Sequence, residues 1–186
     1  MVFPALLSRR ARRQREAAAQ LYGAVVAQAR DPVFYRELEV PDSLDGRFEA
    51  LALHAFLVLN RLKADGEPAA DLAQALFDAF FEDMDRSLRE MGAGDLGVGK
   101  RVKAMAQGFY GRIRAYEQGL AGGETALADA LRRNLWGTVP APADVHVAAL
   151  SRYLKRQQAA LAAQPIAALA AGRVAFLSVV SGTGEP

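Results

Sequence analysis

The sequence predicts an all-α protein, a single compact multi-helix domain of about six to seven helices. Apolar residues recur at helical spacing from about Ser8 to Ala163. Strand-forming residues gather only in Val174–Val180. The 52% hydrophobic content includes much alanine, which suits closely packed helices better than a thick aromatic interior. At 186 residues the chain is long enough to build a core without staples, and having no cysteine it makes neither disulfides nor thiolate metal sites.

The expected elements follow in order. A first helix runs from about Ser8 to Arg30 and stops before Asp31-Pro32. Residues 31–41 hold Phe34 and Tyr35 and read as irregular but packed. Asp42 is placed to cap a second helix. On it Phe48, Leu51, Ala55, Val58, Leu59 and Leu62 form one stripe, and Leu53, Phe56 and Leu57 form another, so this helix sits centrally. A third spans Pro68 to Met91 and a fourth Val98 to Leu120, ended by Gly122-Gly123. A shorter helix covers Glu124–Trp136. After Pro140 and Pro142 another spans Ala143–Ala163, and a short one follows Pro165. The expected organisation is a basic arm at 1–15, a helical domain at 16–172 and a tail at 173–186.

Charge is distributed unevenly. The net charge is +2, but Arg9, Arg10, Arg12, Arg13 and Arg15 sit in a segment with no acid. Removing those five from 23 basic residues leaves 18 against 21 acids, so the body carries −3. Such an arm suits RNA, a ribosome or an anionic membrane surface. The longest apolar run, Ala50 to Leu59, falls well short of the ~20 residues of a membrane span. The N-terminal apolar residues precede the arginines, the reverse of a secretory signal. The expectation is a cytoplasmic protein, at most peripheral at the inner face of the membrane.

Catalytic chemistry finds little support. Of two histidines, His54 lies in the most apolar helix and reads as a core residue hydrogen-bonded to a neighbour. Asp78, Glu82, Asp83 and Asp85 resemble a carboxylate cluster, but neither histidine has a glutamate three residues before it, as a helical di-metal site requires. Gly92-x-Gly94-x-x-Gly97 and Gly94-x-x-x-x-Gly99-Lys100 copy the spacing of nucleotide-binding turns. A helix-period run precedes them in place of a strand, and Arg101 stands where a magnesium-binding hydroxyl belongs, so the expectation is a helix–turn–helix junction. No cofactor, metal, DNA partner or enzymatic activity is expected.

A charge contrast is more telling. Residues 67–95 carry eight acids and two arginines, whereas Lys100, Arg101, Lys103, Arg112 and Arg114 lie in a stretch without acid. Two helices joined by a short turn would be antiparallel neighbours whose faces could neutralise each other. Lys100, Lys103, Gln107, Tyr110 and Arg114 nevertheless share the face opposite the apolar stripe, open to a partner. Gly108 and Gly111 mid-helix suggest close approach of another backbone.

Arg89-Glu90-Met91-Gly92, Gly94-Asp95-Leu96, Val98-Gly99-Lys100, Val102-Lys103 and Phe109-Tyr110-Gly111-Arg112 resemble the signature of the ubiquinol–cytochrome c chaperone family. Asp31-Pro32-x-Phe34-Tyr35, Pro41-Asp42, Gly46-Arg47-Phe48-Glu49, His54 and Phe56-Leu57-Val58-Leu59 fit the same pattern, so the resemblance covers roughly residues 20–155. It implies an all-helical assembly chaperone without catalytic residues, whose mitochondrial members bind newly made cytochrome b near the ribosomal tunnel exit. Those members act with a small partner subunit, a requirement the resemblance does not extend to short chains of bacterial type. The expected client surface comprises Arg89, Glu90, Asp95, Lys100, Lys103, Gln107, Tyr110, Arg112 and Arg114. An internal clasp, with Glu90 and Asp95 holding Arg112 and Lys103, competes for the same residues. The alternative function is an RNA- or ribosome-associated helical protein acting through Arg9–Arg15.

Overall fold

The central helix, α3 (Leu44–Lys63), explains the architecture, because its residues 52–58 are all buried. One side of it, with Leu53, Phe56 and Leu57, joins Phe34, Tyr116, Leu131, Trp136 and Leu150 in one core cluster. The other side, with Ala52, Ala55, Val58 and Leu62, joins Leu21, Leu72, Phe80 and Phe109 in a second. These are the two stripes read in the sequence. Each large side chain so buried contributes about 1.5–3 kcal/mol.

This computed structural model describes residues 3–92, 95–140 and 142–179, with side chains from Arg9 onward except those of residues 95 and 96. The described chain is all-α, in one compact domain. Around α3 lie α1 (Phe3–Ala29), α2 (Pro32–Arg36), α4 (Glu67–Glu90), α5 (Asp95–Gly122), α6 (Glu124–Leu135), α7 (Asp144–Ala162) and α8 (Ile166–Ala170). α1 runs unbroken through Arg15, where its polar N-terminal part meets the buried Ala17, Ala18 and Leu21. It lies parallel to α4, since Arg10 meets Asp71 at 2.8 Å and Tyr22 donates to Asp83 at 2.7 Å. α4 and α5 are antiparallel and interlocked by rings. Phe80 stacks on Phe109, and Phe77 stacks on Tyr110.

Three local readings need correction. The stretch 31–41 contains the short helix α2, because Asp31 accepts from the Val33 amide at 3.0 Å and Pro32 supplies a preset first turn. Ser43, not Asp42, caps α3, accepting from the Gly46 amide at 3.2 Å, while Asp42 is taken by Arg47 at 2.6 Å. α5 begins at Asp95, so Gly97 and Gly99 lie inside a helix; of the glycine-rich stretch, residues 93 and 94 are outside the described residues. Gly92 ends α4 with φ +84°, the left-handed conformation that favours glycine.

Residues 173–179 form no strand. They run extended along α7, with Gln164 pairing to both backbone groups of Ala175 (2.9 and 2.7 Å) and Gln157 to both of Leu177 (3.0 and 2.6 Å). Phe176, between them, meets the His54 ring edge-on at 5.6 Å.

Candidate functional site

Residues 41–49 come together with two stretches far away in sequence, 84–91 and 104–112, beside the first turns of α3. Glu49 is 6% exposed, which requires a cationic partner, and Arg112 supplies it. The Arg112 Nε donates to one carboxylate oxygen at 2.6 Å and its Nη2 to the other. This bidentate pairing raises the Arg112 pKa further above its ordinary value, its hydrogen bond to Glu49 being the main cause. The guanidinium also lies 5.2 Å over the Phe48 ring. Gly108 makes room for it, since a Cβ there would sit 2.8 Å from an Arg112 nitrogen.

The clasp expected from the sequence is therefore built differently. Arg112 is held by Glu49 on α3, not by Glu90, which is exposed at the end of α4. The Asp95 side chain lies outside the described residues. Neither mid-helix glycine receives another backbone. Gly108 faces the Arg112 side chain, and Gly111 has nothing within 4 Å.

Above this pair opens a cleft of about 1070 Å³, walled by α1, α2, the start of α3, the end of α4 and α5. Phe48, Leu51, Met84, Leu88 and Met105 line it, with Asp42, Arg47, Glu49 and Arg112 along one side. Leu44 (71% exposed) and Met91 (55%) also line it and stand open to solvent. Sequence reasoning missed this cleft. The signal available was Glu49, an acid at the edge of the apolar stretch of α3 whose burial demands a cation from elsewhere.

On the far side of α5, Lys100, Lys103, Gln107, Tyr110 and Arg114 are exposed on one face. None of their cations makes an ion pair among the described residues. Three acids of α4 are engaged away from α5: Asp71 with Arg10, Asp83 with Tyr22 and Arg86, Asp85 with Arg89 at 2.6 Å. No ion pair is seen between α4 and the Lys100, Lys103 and Arg114 stripe among the described residues, and that stripe faces solvent. Tyr110, 59% exposed, rests one ring face on Phe77 at 5.4 Å and leaves its other side open. Arg112 belongs to the cleft and not to this stripe.

In the arm, Arg10 and Arg12 are paired, with Asp71 and Glu16, while Arg9, Arg13 and Arg15 are exposed without an ion pair among the described residues. His54 is wholly buried. Its Nδ1 donates to the Ala50 carbonyl at 2.7 Å, so Nε2 accepts from the Tyr153 hydroxyl at 2.8 Å, which in turn accepts from Gln28 at 3.1 Å. Burial pushes its pKa down to about 4, only partly opposed by the Ala50 bond, so the ring is neutral. No group of three or more metal-ligating side chains gathers among the described residues, and no described helix is long and apolar enough to cross a membrane.

Known proteins are similar to this chain in sequence and in fold. The profile of the ubiquinol–cytochrome C chaperone family matches residues 36–176. The Xenopus laevis ubiquinol-cytochrome-c reductase complex assembly factor 1 is 27% identical over 64% of this chain and 60% of its own length. The human counterpart is 25% identical over 76% of this chain and 47% of its own, and the Saccharomyces cerevisiae mitochondrial protein CBP3 27% identical over 77% and 44%. The chain thus spans about 40 to 60% of the length of the curated relatives it matches. A crystal structure of the Cbp3 homolog from Brucella abortus superposes with a TM-score of 0.82 at 38% identity, covering 96% of this chain and 98% of that one. On this extent of sequence and fold, the chain belongs to the ubiquinol–cytochrome c chaperone family.

Proposed function

We propose that this protein is a non-enzymatic chaperone that binds newly synthesised cytochrome b and supports biogenesis of the cytochrome bc1 complex. Family membership and the assembly-factor names of its relatives support the reading. The observation that carries it is the unpaired basic stripe of α5. Its exposed cations make no ion pair among the described residues, and with the half-open Tyr110 they have the composition of an interface anchor. Arg89, Glu90 and Asp95 flank it at the helix junction and complete the proposed client surface, with Arg112 fixing α5 against α3 behind it.

In this reading Arg9, Arg13 and Arg15 hold the protein near a ribosome or at the inner face of the membrane, where the client emerges, with Arg10 and Arg12 tying the arm to the body. The small partner subunit of longer relatives is not part of the proposal. The RNA-associated alternative finds nothing in its favour among the relatives. The direct test is detergent co-purification of cytochrome b with the wild-type protein and with Lys103→Glu. Loss of capture at an unchanged melting temperature supports the proposed surface, and unchanged capture removes it.

A further inference from the structure

Three of the chain's four methionines, Met84, Met91 and Met105, line the cleft between α3, α4 and α5. Met84 and Met91, seven residues apart, share the face of α4 at its end, and Met105 joins them from α5 through the packing of the two helices. Methionine is unbranched, polarizable and adaptable, and it is over-used where a surface must fit apolar partners of varied shape. Leu44 and Met91 extend the apolar lining into solvent, an exposure that an ordinary core does not require.

The charges of the cleft point to the kind of occupant. Its carboxylates Asp42, Glu49 and Asp83 are each satisfied within the protein, by Arg47, Arg112, and Tyr22 with Arg86. Little charge remains inside to receive an ion, and the exposed Arg30 and Arg36 stand on the outer wall with Asp45. The volume, about 1070 Å³, sits at the top of the range of ~300–1,000 Å³ usual for small ligands. Several large apolar side chains along one face of a helix suit it better than a single small molecule.

We infer that this methionine-lined cleft is the groove in which the chaperone holds an uncharged, apolar helical segment of its membrane-protein client. The inference rests on the client reading above and adds the chemistry of the contact. α5 then acts as a partition: its basic stripe meets polar parts of the client on one side, and its Met105 face shields an apolar segment on the other. The Glu49–Arg112 pair fixes the groove floor without offering a free charge to the ligand.

The absence of cysteine makes the test clean. Met105→Cys and Tyr110→Cys are each labelled with a benzophenone maleimide in the full chain, irradiated with cytochrome b being synthesised, and the joined peptides mapped. The groove proposal expects Met105→Cys to reach predominantly apolar, membrane-spanning segments of cytochrome b, and Tyr110→Cys to reach its polar loops. Cross-linking from Tyr110→Cys alone overturns the groove and leaves the client reading standing. Silence at both positions overturns both. Cross-links from Met105→Cys to a second copy of this chain, or only to polar loops, overturn the groove as well. A companion variant, Met91→Lys at the exposed edge, should lower capture about tenfold with an unchanged melting curve, the loss expected when one methionine contact is replaced by a charge. Capture undiminished by Met91→Lys counts against the groove.

Discussion

Glu49 and Arg112, 63 positions apart, form a two-pronged ion pair that ties α3 to α5 at the floor of the cleft. A buried acid left alone is costly, whereas a pair replaced by apolar residues is often tolerated. Arg112→Ala should therefore destabilise the protein by about 2–4 kcal/mol. The double variant Glu49→Leu with Arg112→Met should recover most of that loss. Urea unfolding of the three proteins is the measurement. Equal losses in both variants would mean that the pair itself, not the relief of an unpaired charge, stabilises the fold.

Tyr110→Ala removes a ring contact with Phe77 and little else, a cost of about 1 kcal/mol. Lys103→Glu should change stability by less than about 0.5 kcal/mol, because the lysine is exposed and makes no ion pair among the described residues. Both should reduce cytochrome b capture. Melting curves run beside the capture assay separate the two effects, and a joint collapse would return these residues to a structural role.

Stability should fall on mild acidification because of His54. Its folded pKa, about 4, lies below the ordinary value near 6.5, so between those limits the unfolded chain binds a proton that the native state refuses. The contribution is intact above about pH 6.5 and declines by up to ~1.4 kcal/mol per pH unit down to about pH 4. His54→Gln should be less stable at neutral pH and should lose this slope. A wild-type slope of zero across the window would show that the ring is hydrated in the native state.

Two glycines should respond in opposite directions. A Cβ at Gly46 would collide with the Pro41 carbonyl oxygen, so Gly46→Ala should be strongly destabilising. Gly111 meets nothing within 4 Å, and Gly111→Ala should stabilise α5 by about 0.5–1 kcal/mol. If the gain comes with weaker capture, a client backbone approaches that position; unchanged capture would leave the glycine without a role in binding.

The helices were legible because burial imposes a period, and the two faces of α3 could be assigned from its residues alone. Short-range competition was less legible. Asp42 and Ser43 are both good caps, and only the position of Arg47 decides which one is free for the α3 amides. The α5 basic stripe was readable as a face, but which α4 acids are committed elsewhere was not: Asp71, Asp83 and Asp85 are engaged by Arg10, by Tyr22 with Arg86, and by Arg89. The cleft was the least visible feature. Its lining is assembled from both α4, with Met84 and Met91, and α5, with Met105, and the partner of Glu49 is set by the packing of α5 on α3 and not by any local spacing.

The glutamine amides that hold residues 173–179 bind main chain, so they are indifferent to the side chains at Ala175 and Leu177. Shape is read at Val174, Phe176 and Val179, which pack against the core, Phe176 against the edge of His54. Successive side chains of an extended segment point to opposite sides. A single residue inserted or deleted between Gly172 and Phe176 would turn the ring to solvent while leaving both glutamines able to bind. This end of the domain therefore tolerates changes of composition and resists changes of length.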